Sequence, residues 1–354
     1  MMNKYFINGI GCVSAQDTSN EDLNFNDYSE LDQGVVSVFK PNYRDYIKPA
    51  MIRRMSNGVK MGVVASSIAL KDANVDIPDA IITGSGMGCL KDSEKFLENI
   101  INNDEQYLTP TAFIQSTHNT VGAQIALGIT CKSYNVTYVH QATSFESSLI
   151  DAMLMIDEGT EPILVGGVDE IGSHTTENHK LVDHVKRDED LQNGLLNSNS
   201  KGAVFSEGAQ FFILDNEKST NCYAQLLDVM IYDELEKVNI AIKLQQFLQN
   251  HNLTTSDIDV AMFGVNGDVD YDTYYEFLQN DMFKNTTQLY YKHLSGEYNT
   301  ASAFGLWTAC KIFKSKNIPE VLKLNQIEVS SINHILLYNQ YQGKSHSFTL
   351  LSLC

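Results

Sequence analysis

Apolar positions along the chain alternate between two spacings. Short runs rich in β-branched and aromatic residues, "KYFINGI", "DAIITGSG", "YNVTYVH", "EPILVGG", "AQFFILD", "DVAMFGV", "QLYYKHL", "HILLYNQ" and "SFTLLSL", predict strands. Between them, "MSNGVKMGVVASSIALKDAN", "TVGAQIALGI", "SFESSLIDAMLMIDEG", "ELEKVNIAIKLQQFLQN" and "TASAFGLWTACKIF" repeat their apolar residues at a period near 3.6 and predict helices. Such alternation predicts a layered α/β fold. The helix beginning near Ser144 is the best specified. Thr143 and Glu146 have capping-box spacing, and Gly159 stands where a C-terminal stop belongs. The polar stretch "IGSHTTENHKLVDHVKRDEDLQNGLLNSNSKG" reads as a loop, and after residue 216 a second, shorter series of elements begins. The chain therefore divides into two α/β halves, 1–216 and 217–354, with no repeat visible in the sequence itself.

Composition narrows the functional classes. The chain has 354 residues and a formal net charge of −19, which repels phosphate backbones and anionic membranes, so nucleic acid is not an expected partner. It contains no apolar run of the roughly 18 residues that a membrane helix needs. The start, "MMNKYFINGIGCVSAQ", lacks the apolar stretch and cleavage site of a signal peptide, and a cytoplasmic location is expected. Six cysteines are scattered without a CxxC pair, which suggests neither a disulfide framework nor a zinc site, and reduced, mostly buried thiols are expected. Arg53, Arg54 and Lys60 form one basic cluster, read as a solvated helix face.

Several motifs look like chemistry and are better read as structure. Gly84, Gly86 and Gly88 follow a strand, but their spacing departs from the dinucleotide fingerprint, and a tight turn with close backbone packing is expected. His174, His179 and His184 recur every five residues without a carboxylate partner of the metalloprotease kind, so no metal site is expected. His118 reads as a hydrogen-bonded core residue, and no serine sits in a GxSxG elbow.

The segments "PTAFIQSTHNTVGAQIALGI", the strand-turn-helix around Gln141, "ILVGGVDE" and "SEGAQFFIL" together resemble, in order, the landmarks of the β-ketoacyl-ACP synthase family. The resemblance is strongest over residues 45–215 and continues through "DVAMFGVNGD", "KHLSGEYNTASAFG" and "LLYNQYQGKSHSFTLL". It implies the thiolase fold, two similar halves forming a layered α-β-α-β-α core, with a ketosynthase-like half over 1–216 and a shortened half over 217–354. Active members of that family carry a cysteine at the elbow, where a helix amino terminus favours thiolate, and two histidines from the second half.

Carried over one position at a time, the resemblance implies loss of all three groups. Counted back from Gly166-Gly167, the cysteine position is Gln141, which cannot form a thioester. The two histidine positions fall on Asn266, before Gly267, and on Glu297, after Gly296, while the family's loop lysine is retained as Lys292. The carboxyl-terminal turn keeps only Gly343. Imidazoles are not absent from the region, but His140 is expected on the opposite face of its strand and His293 lies four positions before Glu297. No catalytic residue, cofactor or metal is expected.

Within that family, a glutamine at the elbow resembles chain length factors and loading-type decarboxylases, and decarboxylation needs the missing histidines. The implied protein is a non-catalytic subunit that pairs with an active β-ketoacyl-ACP synthase and meets acyl carrier protein only through it. It would shape the tunnel of the growing chain in bacterial fatty-acid or polyketide-like elongation, with aryl polyene or flexirubin pigments as the narrower reading. Gln141 would then fill the former nucleophile pocket. The rivals are an acyltransferase or condensing enzyme with a rearranged site, and a homodimer that binds acyl-ACP.

Overall fold

A computed structural model describes residues 4–18, 25–108 and 110–354. The predicted strands appear as β1 (Tyr5–Val13), β2 (Ala80–Gly84), β3 (Tyr134–Tyr138), β4 (Ile163–Asp169), β5 (Gly208–Asp215), β7 (Val260–Phe263), β8 (Thr287–Tyr290), β9 (His334–Tyr341) and β10 (Lys344–Ser352). The pattern missed β6 (Ala224–Glu234), whose run is broken by Asp228, Asp233 and Glu234 and is only partly buried. Helices are α1 (Pro49–Ile52), α2 (Asn57–Ala73), α3 (Leu90–Asn102), α4 (Pro110–Ser116), α5 (Thr120–Ile129), α6 (Ser144–Asp157), α7 (Ser173–Leu181), α8 (Lys237–Asn250), α9 (Lys292–Ser295) and α10 (Ser302–Ser315). The expected polar loop thus contains α7, which buries only Thr176 and so has no apolar period to read. "QLYYKHL" is a strand only to Tyr290, after which Lys292–Ser295 turn as α9.

All the strands join one sheet, ordered β3-β2-β4-β5-β1-β6-β10-β9-β7-β8. β3, β2 and β4 run parallel, with β5 and β1 antiparallel beside them. β8, β7 and β9 repeat that arrangement with β10 and β6. The two groups meet where β1 pairs β6, from Tyr5↔Leu226 to Ile7↔Ala224.

Strand alternation sorts the core into layers. Ile82, Phe212 and Leu214 from one group and Met262, Ile335 and Leu337 from the other face a shared core with α6 and α10. Ile81, Leu164, Phe211 and Ile213 point the opposite way, onto α2 and α5. Phe263, Leu336, Tyr338 and Phe348 point outward onto α8. These are the five layers of the α-β-α-β-α expectation. β4 is buried along its whole length, because helices cover both its faces.

One expectation about cysteine fails. Cys222 and Cys354 form a disulfide with Cα atoms 6.4 Å apart, although 132 residues separate them. Their spacing carries no signal because β10 against β6, with Ser352 opposite Gln225, brings the two ends together. Cys12, Cys89, Cys131 and Cys310 are free thiols, and Cys131 alone of these is not buried. Burial and the carboxylate of Glu170 push Cys89 up to about 12, which leaves it inert at neutral pH.

The three glycines after β2 allow close packing, as expected. A Cβ on Gly84 would lie 2.5 Å from the Ser144 carbonyl oxygen, and one on Gly86 would lie 2.3 Å from the Asn299 side chain. β2 is thereby held directly under the start of α6. Gly84→Ala must push that helix away, and a loss of about 2–3 kcal/mol is expected, read as a lower midpoint in chemical unfolding.

Candidate functional site

The chain leaves β3 and turns sharply at residues 139–143 into α6. Gln141 sits at the corner with φ of +51°, a left-handed conformation that costs a non-glycine residue about 1–2 kcal/mol. This is a strained strand-to-helix elbow of the kind that presents a nucleophile. Ser144 holds it, since its Oγ accepts from the His140 N–H and donates to the Gln141 carbonyl oxygen. The predicted capping box is absent: Thr143 Oγ1 donates to the His140 carbonyl, and Glu146 is buried and accepts from Ser347. Gly159, by contrast, ends the helix region at φ +84° as expected.

Gln141 does not fill a pocket. Its side chain is exposed, lines the wall of a cavity of about 250 Å³, and makes no side-chain hydrogen bond among the described residues. Glu297, Tyr341 and Gln342 complete that wall from the second half. The elbow and the carboxyl-terminal β9–β10 turn therefore face one space.

Asn266, Lys292 and Glu297, far apart in sequence, do come together. Glu297 Oε2 accepts from Lys292 Nζ at 2.7 Å and from Asn266 Nδ2 at 2.7 Å. Lys292 is 1% and Glu297 4% exposed, so this is a buried ion pair with an amide attached. Asn266 is fully used, because its Oδ1 accepts the Asp268 N–H. Neighbouring Asp272 accepts the Asn266 and Gly267 N–H groups, and burial pushes it up to about 7. At the two positions where the family resemblance places imidazoles, the side chains are committed to one another.

A second buried set, unread from sequence, ties loops of the first half together and, through Asp169, reaches Thr300 of the second. Asp169 Oδ1 accepts the Gly86 and Met87 N–H groups and the Ser85 hydroxyl, while Oδ2 accepts the Thr300 N–H and hydroxyl. Burial pushes it up to about 6 against these donors. Glu170 accepts from Gly58 N at the start of α2 and from Lys91 N at the start of α3, and burial pushes it up to about 7. Glu207 holds Asn57, the Ile171 N–H and Lys91 Nζ. The quoted segments "ILVGGVDE" and "SEGAQFFIL" contain all three acids, but only the fold brings their donors together.

The remaining histidines take no part in a catalytic set. His140 is exposed and its Nδ1 lies 3.1 Å from Ser147 Oγ. His293 is buried and stacks on Tyr290 with centroids 3.7 Å apart. His118 is half-buried against Gly88 rather than hydrogen-bonded in the core. His174 pairs with Glu98, and His179 Nδ1 lies 3.0 Å from His184 Nδ1. His179 also lines the pocket, a placement its polar surroundings in sequence did not signal. Among the described residues no cluster of histidine, cysteine and acid is arranged to hold a metal.

Five α-β-α-β-α layers, with a left-handed elbow facing a loop pair from the second half, define the thiolase-like fold of β-ketoacyl synthases. Residues 33–176 match the family model "Beta-ketoacyl synthase, N-terminal domain". Among solved structures, the ishigamide ketosynthase/chain length factor aligns over 100% of both chains with a TM-score of 0.81 at 15% identity. A β-ketoacyl synthase from Burkholderia phymatum STM815 aligns over 100% of both chains at 0.78 and 15% identity. A ketosynthase in complex with its chain length factor from Xenorhabdus doucetiae aligns over 99% of this chain and 98% of that one, at 0.74 and 14%. A search of curated proteins finds no match.

Two predictions follow from the buried charges. Glu297→Ala leaves the Lys292 ammonium buried without its partner and should cost about 3–5 kcal/mol in chemical unfolding, whereas Lys292→Met with Glu297→Leu should cost markedly less. Burial lowers His293 to about 3, so the folded state refuses a proton that the unfolded chain accepts below about 6.5. Stability from this group is present above that pH and is lost as pH falls. His293→Phe should therefore gain about 2 kcal/mol on wild type between pH 7 and pH 5, measured as the difference of the two unfolding curves.

Proposed function

We propose that this chain is a non-catalytic ketosynthase-like subunit of the chain length factor type, paired with an active β-ketoacyl-ACP synthase. The observation that carries the reading is the preserved elbow with its chemistry replaced. Gln141 occupies the strained corner, and Asn266 and Glu297 are bound to each other and to Lys292. A carboxamide cannot accept an acyl group as a thioester, and neither replacement offers a free imidazole for proton transfer. Deleting one member of a cooperating catalytic set removes most of its rate, and here all three are changed. The rival with a rearranged active site finds no support in His140, which is exposed, or His293, which is buried against Tyr290.

Pairing is supported by the edge of the sheet. β3 is the terminal strand, Tyr134 on it is exposed, and among the described residues its outer backbone groups have no strand beside them. Leu127 of α5 and Leu154 of α6, the helices packed on β3, are 71% and 57% exposed. An apolar rim around an open edge suits a second α/β subunit that adds its own edge strand. The role would be steric: this subunit completes the tunnel and limits the growing chain, in fatty-acid or polyketide-like elongation, with aryl polyene or flexirubin pigments as the narrower assignment. A cytoplasmic setting fits that role, and no helix among the described residues is long and apolar enough to cross a membrane.

Gentle purification of the tagged chain from its native host, followed by mass spectrometry, should return an equimolar ketosynthase that retains the cysteine and both histidines. The chain itself should take no covalent acyl label from an acyl-carrier thioester. Recovery as a homodimer that binds acyl-ACP, or acylation of any residue of this chain, would sink the reading.

A further inference from the structure

The cavity under the elbow is not spent by the loss of catalysis. Glu297 lines it, and Glu297 Oε2 is taken by Lys292 and Asn266. No donor among the described residues reaches Oε1, so a deeply buried carboxylate turns one unused acceptor toward the pocket. The other two acids of the lining are already satisfied. Asp169 has protein donors on both oxygens, and so does Glu170. No lysine or arginine lines the cavity, and the lysine behind Glu297 is spent on Oε2. An anion entering here meets carboxyl groups and no cation, a poor exchange for its hydration.

The walls set aromatic and apolar side chains among polar ones such as Thr175, Ser206 and Asn299. Phe205, Tyr298, Tyr341 and the His179 ring line the space together with Met87 and Leu90. His179 is held at Nδ1 by His184 and flanked by Phe205 with centroids 5.0 Å apart. A volume of about 250 Å³ is small beside ordinary ligand pockets and suits a single ring.

We propose that this pocket is a binding site for an uncharged planar group that donates a hydrogen bond, a phenol or an aryl amine, and that it excludes carboxylates. The ring lies among the aromatic walls and its O–H or N–H reaches Glu297 Oε1. No bond is made or broken. The inference holds whether or not the chain pairs with a ketosynthase, since every group named belongs to this chain.

The test is a titration of the full-length chain at neutral pH, by ligand-observed NMR, with p-cresol, p-methylanisole and p-toluate. p-Cresol should bind with a Kd in the millimolar range, and the ether and the carboxylate at least tenfold more weakly, because one lacks the donor and the other carries the wrong charge. The double variant Lys292→Met with Glu297→Leu, which removes the acceptor without stranding a charge, should bring p-cresol down to the level of the ether. Because the three probes are compared on the wild-type chain, the discrimination stands even if the variant does not fold. Binding of p-toluate or p-methylanisole within threefold of p-cresol overturns the proposal. So does failure of p-cresol to bind up to about 10 mM, or its undiminished binding by a folded variant.

Discussion

One buried carboxylate ties the first group of strands to the second beside the site. Asp169 stands at the end of β4, a strand buried along its whole length, and grips the loop after β2 with one oxygen and Thr300 of the second group with the other. Burying a charge in this way is unfavourable unless its hydrogen bonds are filled, and backbone N–H groups fill most of them. Because those donors belong to the backbone, they fix positions of the chain and not only of side chains. The loop that bears Glu297 is held beside this anchor by backbone hydrogen bonds to Val204 and Ser206. Glu170, the next residue, ties in the starts of α2 and α3 in the same manner.

Against that frame, the contrast between elbow and loop is informative. Gln141 keeps the backbone strain of a nucleophile elbow although glutamine gains nothing from it chemically. The strain persists because the fold demands it: Gly84 lets β2 abut the Ser144 carbonyl, and Ser144 pins both His140 and Gln141. In the second half Glu297 forms a buried ion pair with Lys292 and accepts a hydrogen bond from Asn266. Buried ion pairs contribute little net stability but resist single substitution, because each partner left alone is a buried charge.

Much of this was legible in the sequence. Strands with near-continuous apolar runs announced themselves where both faces are covered, as in "ILVGGVD" and "QFFILD". The positions Gln141, Asn266, Lys292 and Glu297 could be marked from loop landmarks, and the fold does gather the last three. What could not be read depends on contacts between distant segments. The Cys222–Cys354 link follows from strand register, α7 has no apolar face, and the partners of Asp169 come from residues 85–87 and 300. The orientation of Gln141 was misread for a related reason. The resemblance implied a filled pocket, whereas at the left-handed corner the group is exposed.

The open side of β3 has a consequence for how much of this protein a cell can safely hold. Five residues of extended backbone lie at the sheet margin, bordered by uncovered leucines. Such a margin does not distinguish strongly between a proper mate and any other extended segment. Left uncovered, such a margin favours edge-to-edge pairing as the concentration of free chain rises, so the number of copies tolerated is limited by solubility rather than by chemistry.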